Sequence, residues 1–187
     1  MKNYKLTLLA VIITLLFSGC FITNSPGFYS GYKKLTEEQK NTIEFTQNNQ
    51  YSFDDTAKIY AITGTQLSEM LKKNDSTVVY LYGPNCSSKN CISIQYANKL
   101  CEAKGYQLIV ILEYYDFEIF AAQHINNFNS FAINHAYYKT DLVVKYLRLF
   151  KADLFGNYKL PKENSYCRFW IFNKDKLTNA VCSLEDL

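Results

Sequence analysis

The chain has 187 residues, a formal net charge of +3, and 48% hydrophobic residues that include 16 Tyr and 13 Phe. This length suits one domain, and large aromatic side chains can build a solid core, so the composition does not indicate a disordered protein. The net charge is small and the basic residues are dispersed, which argues against the basic patch typical of nucleic-acid binding.

The N-terminus has the features of a secretory signal. Lys2 and Lys5 precede an apolar run at 6–17, after which two small residues lead to Cys20. Such a run is too short to span a bilayer and is typical of a cleaved signal. The residues Phe-Ser-Gly-Cys that end at Cys20 resemble a bacterial lipoprotein box, which implies a signal peptide at 1–19 and acylation of the Cys20 sulfur. The alternative is an ordinary cleaved signal in which Cys20 is incidental.

These features predict a protein of the cell envelope that a lipid on Cys20 anchors to a bacterial membrane, outside the cytoplasm. Disulfides form and persist in such compartments. Without Cys20, five of the six cysteines remain, and an odd number leaves at least one thiol free, metal-bound or paired with another molecule. These cysteines are Cys86, Cys91, Cys101, Cys167 and Cys182.

Residues 20–56 are expected to connect the anchor to the folded domain. The stretch 21–34 contains Pro, Gly and Ser and is typical of a tether. Thr36 and Gln39 have the spacing of a capping box, which predicts a helix that continues to about Gln47.

Strands and helices then alternate, starting at residue 57. Residues 59–62, 77–82 and 106–112 are predicted strands, and the second and third of them are continuously apolar. Continuous apolar strands are typical of a sheet that is covered on both faces, and a helix between two such strands makes them parallel. We expect Thr65 to cap a helix that ends at Asn74.

A second helix is predicted to start at Ser87 or Ser88 and to end near Gly105. The rest of the chain is predicted to contain a short helix at 117–122 capped by Asp116, a brief strand at 131–133, an amphipathic helix at 141–154 and an antiparallel hairpin at 168–172 and 177–184. In the helix at 141–154, the side chains expected to face inward are Leu142, Tyr146, Leu149, Phe150 and Leu154. This order of elements indicates an α/β sandwich.

Two segments resemble the thioredoxin-like superfamily: the strand, turn and cysteine at 77–86, and the hairpin segment at 166–176. The resemblance covers 57–187 and implies a three-layer α/β sandwich whose central mixed sheet ends in a C-terminal antiparallel hairpin. In that family the first cysteine stands at a helix N-terminus, at the carboxyl end of a central strand, and Cys86 fits this place. The free N–H groups and dipole of such a helix would stabilise the Cys86 thiolate.

The cysteine spacing departs from that of the family, where two residues usually separate the pair. Four residues separate Cys86 from Cys91. Five positions along a regular helix advance about 7.5 Å and rotate by about 140°, so these cysteines cannot bridge inside one helix. They can bridge if 87–90 form a loop and the helix starts near Cys91.

A second departure is the missing cis-proline that the family has before the strand of its terminal hairpin. Cys167 takes that place when the hairpin is aligned, and the Tyr166–Cys167 bond is expected to be trans. This alignment brings a third sulfur near Cys86.

The residues favour a membrane-anchored thiol–disulfide exchange protein in which Cys86 attacks and Cys91 or Cys167 resolves. For Cys167 itself, a structural disulfide or an inert thiol is the favoured interpretation. The alternative is a non-catalytic thioredoxin-like lipoprotein that serves as a binding or assembly module. A metal chaperone that uses Cys86, Cys91 and Cys167 as soft ligands is less favoured. No metal or cofactor is predicted, and the expected partners are the membrane and the thiols or disulfides of exported proteins.

The other candidate groups are expected to be structural. His124 and His135 are expected to be surface or hydrogen-bonded residues. Cys101 lies on the apolar face of its helix and is expected to be a core thiol, whereas Cys182 is expected in the core or in a second bridge. The segment 113–116 is expected to be a solvated loop, although its carboxylates could accept protons.

Overall fold

The structure is a computed structural model that describes residues 27–46, 58–86, 91–116, 130–156 and 160–187. The described residues form seven strands and four α-helices. The strands are β1 (Ile43–Phe45), β2 (Ile59–Ile62), β3 (Thr77–Tyr82), β4 (Gln107–Leu112), β5 (Ser130–Ile133), β6 (Phe169–Asn173) and β7 (Lys176–Val181). The helices are α1 (Glu37–Asn41), α2 (Gly64–Leu71), α3 (Ile94–Ala103) and α4 (Val143–Phe155).

All of these strands belong to one mixed sheet, whose order is β1-β2-β5-β4-β3-β6-β7. The first five strands in this order, namely β1, β2, β5, β4 and β3, are parallel to one another. β6 is antiparallel to β3, and β7 is antiparallel to β6. The predicted α/β class, the parallel pairing of β3 with β4 and the C-terminal hairpin are therefore confirmed. The carboxyl ends of β1, β2, β5, β4 and β3 all lie along one edge of the sheet.

Helices cover both faces of the sheet. Val79 of β3 points into a core that also contains Leu67 of α2 and Phe150 of α4. Its neighbour Tyr80 points the other way, into a core that contains Cys101 of α3. Successive side chains of a strand alternate between its faces, so the apolar run of β3 is buried on both sides, as its sequence predicts.

The N-terminal part of the described chain differs from its prediction. The predicted capping box of Thr36 and Gln39 is present, but α1 ends at Asn41 instead of near Gln47. The next residues form β1, in which Ile43 is buried and pairs with Ile59 of β2. The gain from this non-local pairing and burial outweighs the local preference for helix.

Part of the predicted tether packs on the domain. The Ser30 N–H donates to the Asp141 carbonyl at 2.8 Å, and the Tyr115 N–H donates to the Ser30 carbonyl at 2.7 Å. Ser30 is fully buried. Residues around Ser30 therefore belong to the fold, next to the carboxyl end of β4.

The N-caps of two helices are not the predicted residues. Thr63, not Thr65, caps α2 and forms a capping box with Gln66. Ser93, not Ser87 or Ser88, caps α3 by accepting the Tyr96 N–H.

The start of α4 and the burial of one of its residues also differ from prediction. The helix starts at Val143, and Leu149, which was expected to face inward, is 38% exposed. The helix predicted at 117–122, together with its neighbour His124, lies outside the described residues. None of the helices in the described ranges is long and apolar enough to cross a membrane.

Candidate functional site

The first cysteine of the candidate site follows β3 at the carboxyl edge of the sheet. The residues after Tyr82 turn tightly, and the Cys86 N–H donates to the Gly83 carbonyl at 3.0 Å. Cys86 forms a disulfide with Cys91, and their Cα atoms are 5.9 Å apart. Both cysteines are half-buried, so a reagent or partner can approach the bridge from solvent.

The start of α3 explains how this spacing can form a bridge. Cys91 lies two residues before the N-cap Ser93, and α3 starts at Ile94. The helix therefore starts near Cys91, which is one of the two conditions for a bridge at this spacing; the other concerns 87–90, which lie outside the described residues. The expectation that Cys86 itself stands at the helix N-terminus is wrong, because α3 begins eight positions later. Free N–H groups at the start of α3 are closer in sequence to Cys91.

Two buried tyrosines hold the chain on either side of the bridge. The Tyr80 hydroxyl donates to the Ile92 carbonyl at 2.8 Å and accepts the Ile92 N–H at 3.2 Å. The Tyr114 hydroxyl accepts the Asn85 N–H at 3.0 Å. Asn85 precedes Cys86 and Ile92 follows Cys91, so each cysteine is adjacent to an anchored residue.

Burial favours the neutral form of both phenols. It raises the pKa of Tyr80 to about 12 and also raises the pKa of Tyr114. The Tyr80 hydroxyl therefore keeps its proton, and its bond to the Ile92 carbonyl, at neutral pH.

An ion pair lies beneath the turn that leads to Cys86. Arg168 Nη1 is 3.0 Å from Glu113 Oε2, and the same nitrogen donates to the Leu81 carbonyl at 3.0 Å. The side chains of Arg168 and Glu113 are only 23% and 13% exposed. Gly83 packs against this pair: a Cβ atom there would be 2.9 Å from Glu113 Oε2 and 3.1 Å from Arg168 Nη1.

The segment at 113–116 is not the solvated loop that was expected. Tyr114 and Tyr115 are buried, and the Tyr146 hydroxyl donates to the Glu113 carbonyl at 2.6 Å. Asp116 Oδ2 accepts a bond from Asn85 Nδ2 at 2.6 Å, which ties this segment to the residue before Cys86.

The third predicted site cysteine has another partner. Cys167 precedes β6, Cys182 follows β7, and the two form a disulfide whose Cα atoms are 4.4 Å apart. Cys182 was predicted to lie in the core or in a second bridge, and the structure shows the second bridge. Cys167 is buried, and the Leu81 N–H donates to the adjacent Arg168 carbonyl at 2.9 Å, so this bridge lies beside the end of β3. A catalytic role for Cys167 stays a prediction, and it requires that this second bridge first opens.

Cys101 is a free, fully buried thiol on α3, which confirms it as a core residue. Burial raises its pKa to about 11. The Tyr166–Cys167 bond is trans, as expected, because the described residues contain no cis peptide.

His135 lies inside a cluster of aromatic rings rather than at a polar surface. Its ring centroid is 5.3 Å from that of Tyr32, and 5.6 Å from those of Phe45 and Tyr115. Within the described part of the chain, its buried Nδ1 has no hydrogen-bond partner. Burial is the main cause that lowers the pKa of His135.

The described residues include no group of three His, Cys, Asp or Glu side chains that could hold a metal ion. No family model, curated protein or solved structure matches the chain. The interpretation of the site therefore depends on its own geometry. Sequence reasoning found Cys86 and Cys91 but missed Tyr80, Tyr114 and Arg168, since each of these acts through a contact with a residue distant in sequence.

Proposed function

We propose that the chain is a membrane-tethered, extracytoplasmic protein whose thioredoxin-like domain exchanges thiols and disulfides with exported proteins. The observation that carries this proposal is the half-buried Cys86–Cys91 disulfide at the carboxyl end of β3. A bridge that is open to solvent can be attacked by a thiolate, whereas a bridge inside the core cannot. The lipid anchor at Cys20 and the location in the cell envelope belong to the same proposal.

The exchange conserves electrons between the protein and its partner. In the reduced protein, the Cys86 thiolate attacks one sulfur of a substrate disulfide and displaces the other sulfur as a thiolate, which takes up a proton from water. The Cys91 thiolate then attacks the Cys86 sulfur of the mixed disulfide and releases the second substrate thiolate. The substrate disulfide is thereby reduced by two electrons, and the Cys86–Cys91 disulfide is formed; the reverse sequence oxidises a substrate dithiol.

A second candidate is a non-catalytic binding or assembly module. The observation that favours it is the start of α3 at Ile94, which leaves Cys86 without the helix N-terminus that would stabilise its thiolate. A metal chaperone has less support, because the structure pairs Cys167 with Cys182 rather than leaving three sulfurs to share.

Disulfide reduction assays on single-cysteine variants separate these candidates. We expect wild type, supplied with dithiothreitol, to reduce an unfolded protein that contains disulfides, and Cys86→Ser to lose this activity. Cys91→Ser should instead accumulate a mixed disulfide through Cys86, which mass spectrometry detects. The double variant Cys167→Ala/Cys182→Ala tests the other bridge: activity equal to that of wild type contradicts a resolving role for Cys167, and lost activity in a folded variant supports it.

The outcomes of these assays separate the exchange proposal from the binding module. If wild type and Cys86→Ser show the same negligible rate and Cys91→Ser traps nothing, the exchange proposal is wrong and the binding module is favoured.

The anchor is tested separately by feeding cells a labelled fatty acid. Label on wild type but not on Cys20→Ser supports acylation of Cys20, and equal label on both contradicts it.

A further inference from the structure

Exposed apolar side chains lie together where the N-terminal segment meets the start of α4. Phe28, Tyr29 and Val144 are 37%, 38% and 72% exposed, and we call these three residues the apolar patch. The rings of Phe28 and Tyr29 contact each other edge to face, with centroids 4.9 Å apart. The Val143 N–H donates to the Phe28 carbonyl at 3.1 Å, which holds the first turn of α4 alongside the two rings. Exposed apolar surface of this kind marks contacts with other proteins or with membranes.

Exposed cations flank the apolar patch on both elements. Lys33 and Lys34 follow it on the N-terminal segment, and Lys145 and Arg148 are exposed residues of the first two turns of α4. Arg148 lies one helical turn after the patch residue of α4, on the same face of the helix. The carboxylate of Asp141, beside the start of α4, is already paired with Lys33, since 3.8 Å separates Lys33 Nζ from Asp141 Oδ2. Basic residues around apolar surface favour an anionic lipid surface as the occupant.

The tether joins the described domain beside the apolar patch and close to the cysteine site. Six residues, none of them charged, separate Cys20 from Gly27, and such a segment spans at most about 25 Å when fully extended. Gly27 packs on the ring of Tyr114, since a Cβ atom there would be 3.1 Å from Tyr114 Cε1. The Tyr114 hydroxyl accepts the N–H of Asn85, the residue before Cys86. A lipid on Cys20 would therefore keep this side of the domain within a short reach of the bilayer.

We infer that the apolar patch and its flanking cations dock on the anionic phospholipid surface of the membrane, with the carboxyl edge of the sheet toward the bilayer. Aromatic rings settle at the level of the lipid headgroups, where their apolar and polar parts are both satisfied. The inference rests on the lipid anchor of the proposed function but not on thiol exchange. Docking in this orientation places the Cys86–Cys91 bridge on the membrane side of the domain.

Fluorescence quenching by brominated phospholipid tests this orientation. The full chain is expressed in a bacterium, and the protein is reconstituted into vesicles of phosphatidylcholine and phosphatidylglycerol, with or without brominated phosphatidylcholine. Tyr29→Trp places an indole in the apolar patch. Asn173→Trp is the control, because Asn173 is exposed at the opposite edge of the sheet, where Phe172 pairs with Thr77 at the start of β3. The native Trp170 is fully buried and gives the same background in both variants.

We expect brominated lipid to quench the indole at position 29 at least about twofold more strongly than the indole at position 173. Phe28→Trp repeats the measurement at a second position of the apolar patch. Thermal unfolding checks that each variant folds.

Charge reversal tests the role of the cations in the Tyr29→Trp protein. Lys145→Glu/Arg148→Glu should lower the quenching about twofold or more, because the anionic lipid surface then repels this face of α4. Lys174→Glu/Lys176→Glu makes the same change of charge with exposed residues at the opposite edge of the sheet and should leave the quenching unchanged. Equal effects of the two double variants would contradict docking through α4.

Flotation of the vesicles, with mass spectrometry of Cys20, separates this inference from the anchor. Acylated protein that floats but is quenched equally at positions 29 and 173 overturns the docking and leaves the anchor standing. Equal quenching together with crosslinked dimers assigns the apolar patch to a second copy of the chain, which also overturns it. Protein that is not acylated yet floats, with stronger quenching at position 29, supports the docking and contradicts the anchor. Protein that is neither acylated nor floats contradicts both.

Discussion

The hydroxyl of Tyr80 bonds both backbone groups of Ile92, donating to the carbonyl at 2.8 Å and accepting the N–H at 3.2 Å. Tyr80 is a fully buried residue of β3, and Ile92 directly follows Cys91. One phenol therefore connects the central sheet to the residue that directly follows Cys91. Because the Tyr80 ring also stacks on Phe169, with centroids 4.4 Å apart, the sheet fixes where the hydroxyl lies.

Tyr80→Phe should destabilise the oxidised protein by roughly 1–3 kcal/mol, since the ring stays in place and two backbone groups of Ile92 lose their partner. Urea unfolding measures this free energy. Tyr106→Phe is the control, because the Tyr106 hydroxyl makes no hydrogen bond with the described part of the chain. Equal unfolding midpoints for the two variants would contradict the anchoring role of Tyr80.

The two disulfides should differ in accessibility. Cys86 and Cys91 are both half-buried, whereas Cys167 is buried in the core. Titration with a thiol reductant, followed by alkylation and mass spectrometry, should therefore show the Cys86–Cys91 bridge opening first. Labelling of Cys167 before Cys86 would refute this order.

The disulfides should also differ in their contribution to stability. The bridges join cysteines 5 and 15 positions apart, and loop-closure entropy then gives roughly 2 kcal/mol for the shorter loop and 3 kcal/mol for the longer. Replacing Cys167 and Cys182 by Ala should thus lower the unfolding free energy more than replacing Cys86 and Cys91. Chemical denaturation of the two double variants measures both losses of unfolding free energy. A larger loss on replacing Cys86 and Cys91 would contradict this ranking.

Gly83→Ala should disturb the Arg168–Glu113 ion pair, because the new Cβ atom would press on both charged groups. Overpacking of this kind costs roughly 1–3 kcal/mol. Gly64→Ala should cost more, since its Cβ atom would overlap the backbone carbonyl of Phe150, which cannot rotate away as a side chain can. Unfolding midpoints measure both losses, and a neutral Gly83→Ala would show that the turn has room to relax.

Stability should fall in weak acid because of His135. Its folded pKa lies below the ordinary value of 6.5, so below about pH 6.5 the unfolded chain binds a proton that the folded chain does not. The free energy of unfolding should therefore decrease as pH falls from 6.5 through the folded pKa. Asp141 opposes this shift and Lys33 adds to it.

His135→Phe keeps an aromatic ring between Tyr32, Phe45 and Tyr115 but cannot take up a proton. Urea unfolding near pH 7.5 and pH 5.5, on either side of the ordinary histidine value of about 6.5, should show a smaller loss of stability in this variant than in wild type. The same loss in both proteins would mean that another group dominates the acid response.

Much of the architecture could be predicted from local pattern. The apolar runs of β3 and β4 indicate strands covered on both faces, and the polar turn at residues 173–176 indicates the hairpin of β6 and β7. Both features depend on the character of neighbouring residues, which the sequence displays directly. The sequence pattern does not predict β1. The Thr36 capping box marks where a helix starts, but the end of that helix depends on the pairing of β1 with β2, which neighbouring residues do not display.

Local sequence pattern is sufficient to predict an α/β sheet and the position of Cys86 after a central strand. Which sulfurs meet depends on the tertiary structure, which joins Cys86 to Cys91 and Cys167 to Cys182 and leaves Cys101 in the core. Disulfide connectivity cannot be deduced from spacing alone, because it depends on which strands and loops become neighbours. The same holds for the Tyr80 anchor, which depends on β3 and the residue after Cys91 becoming neighbours.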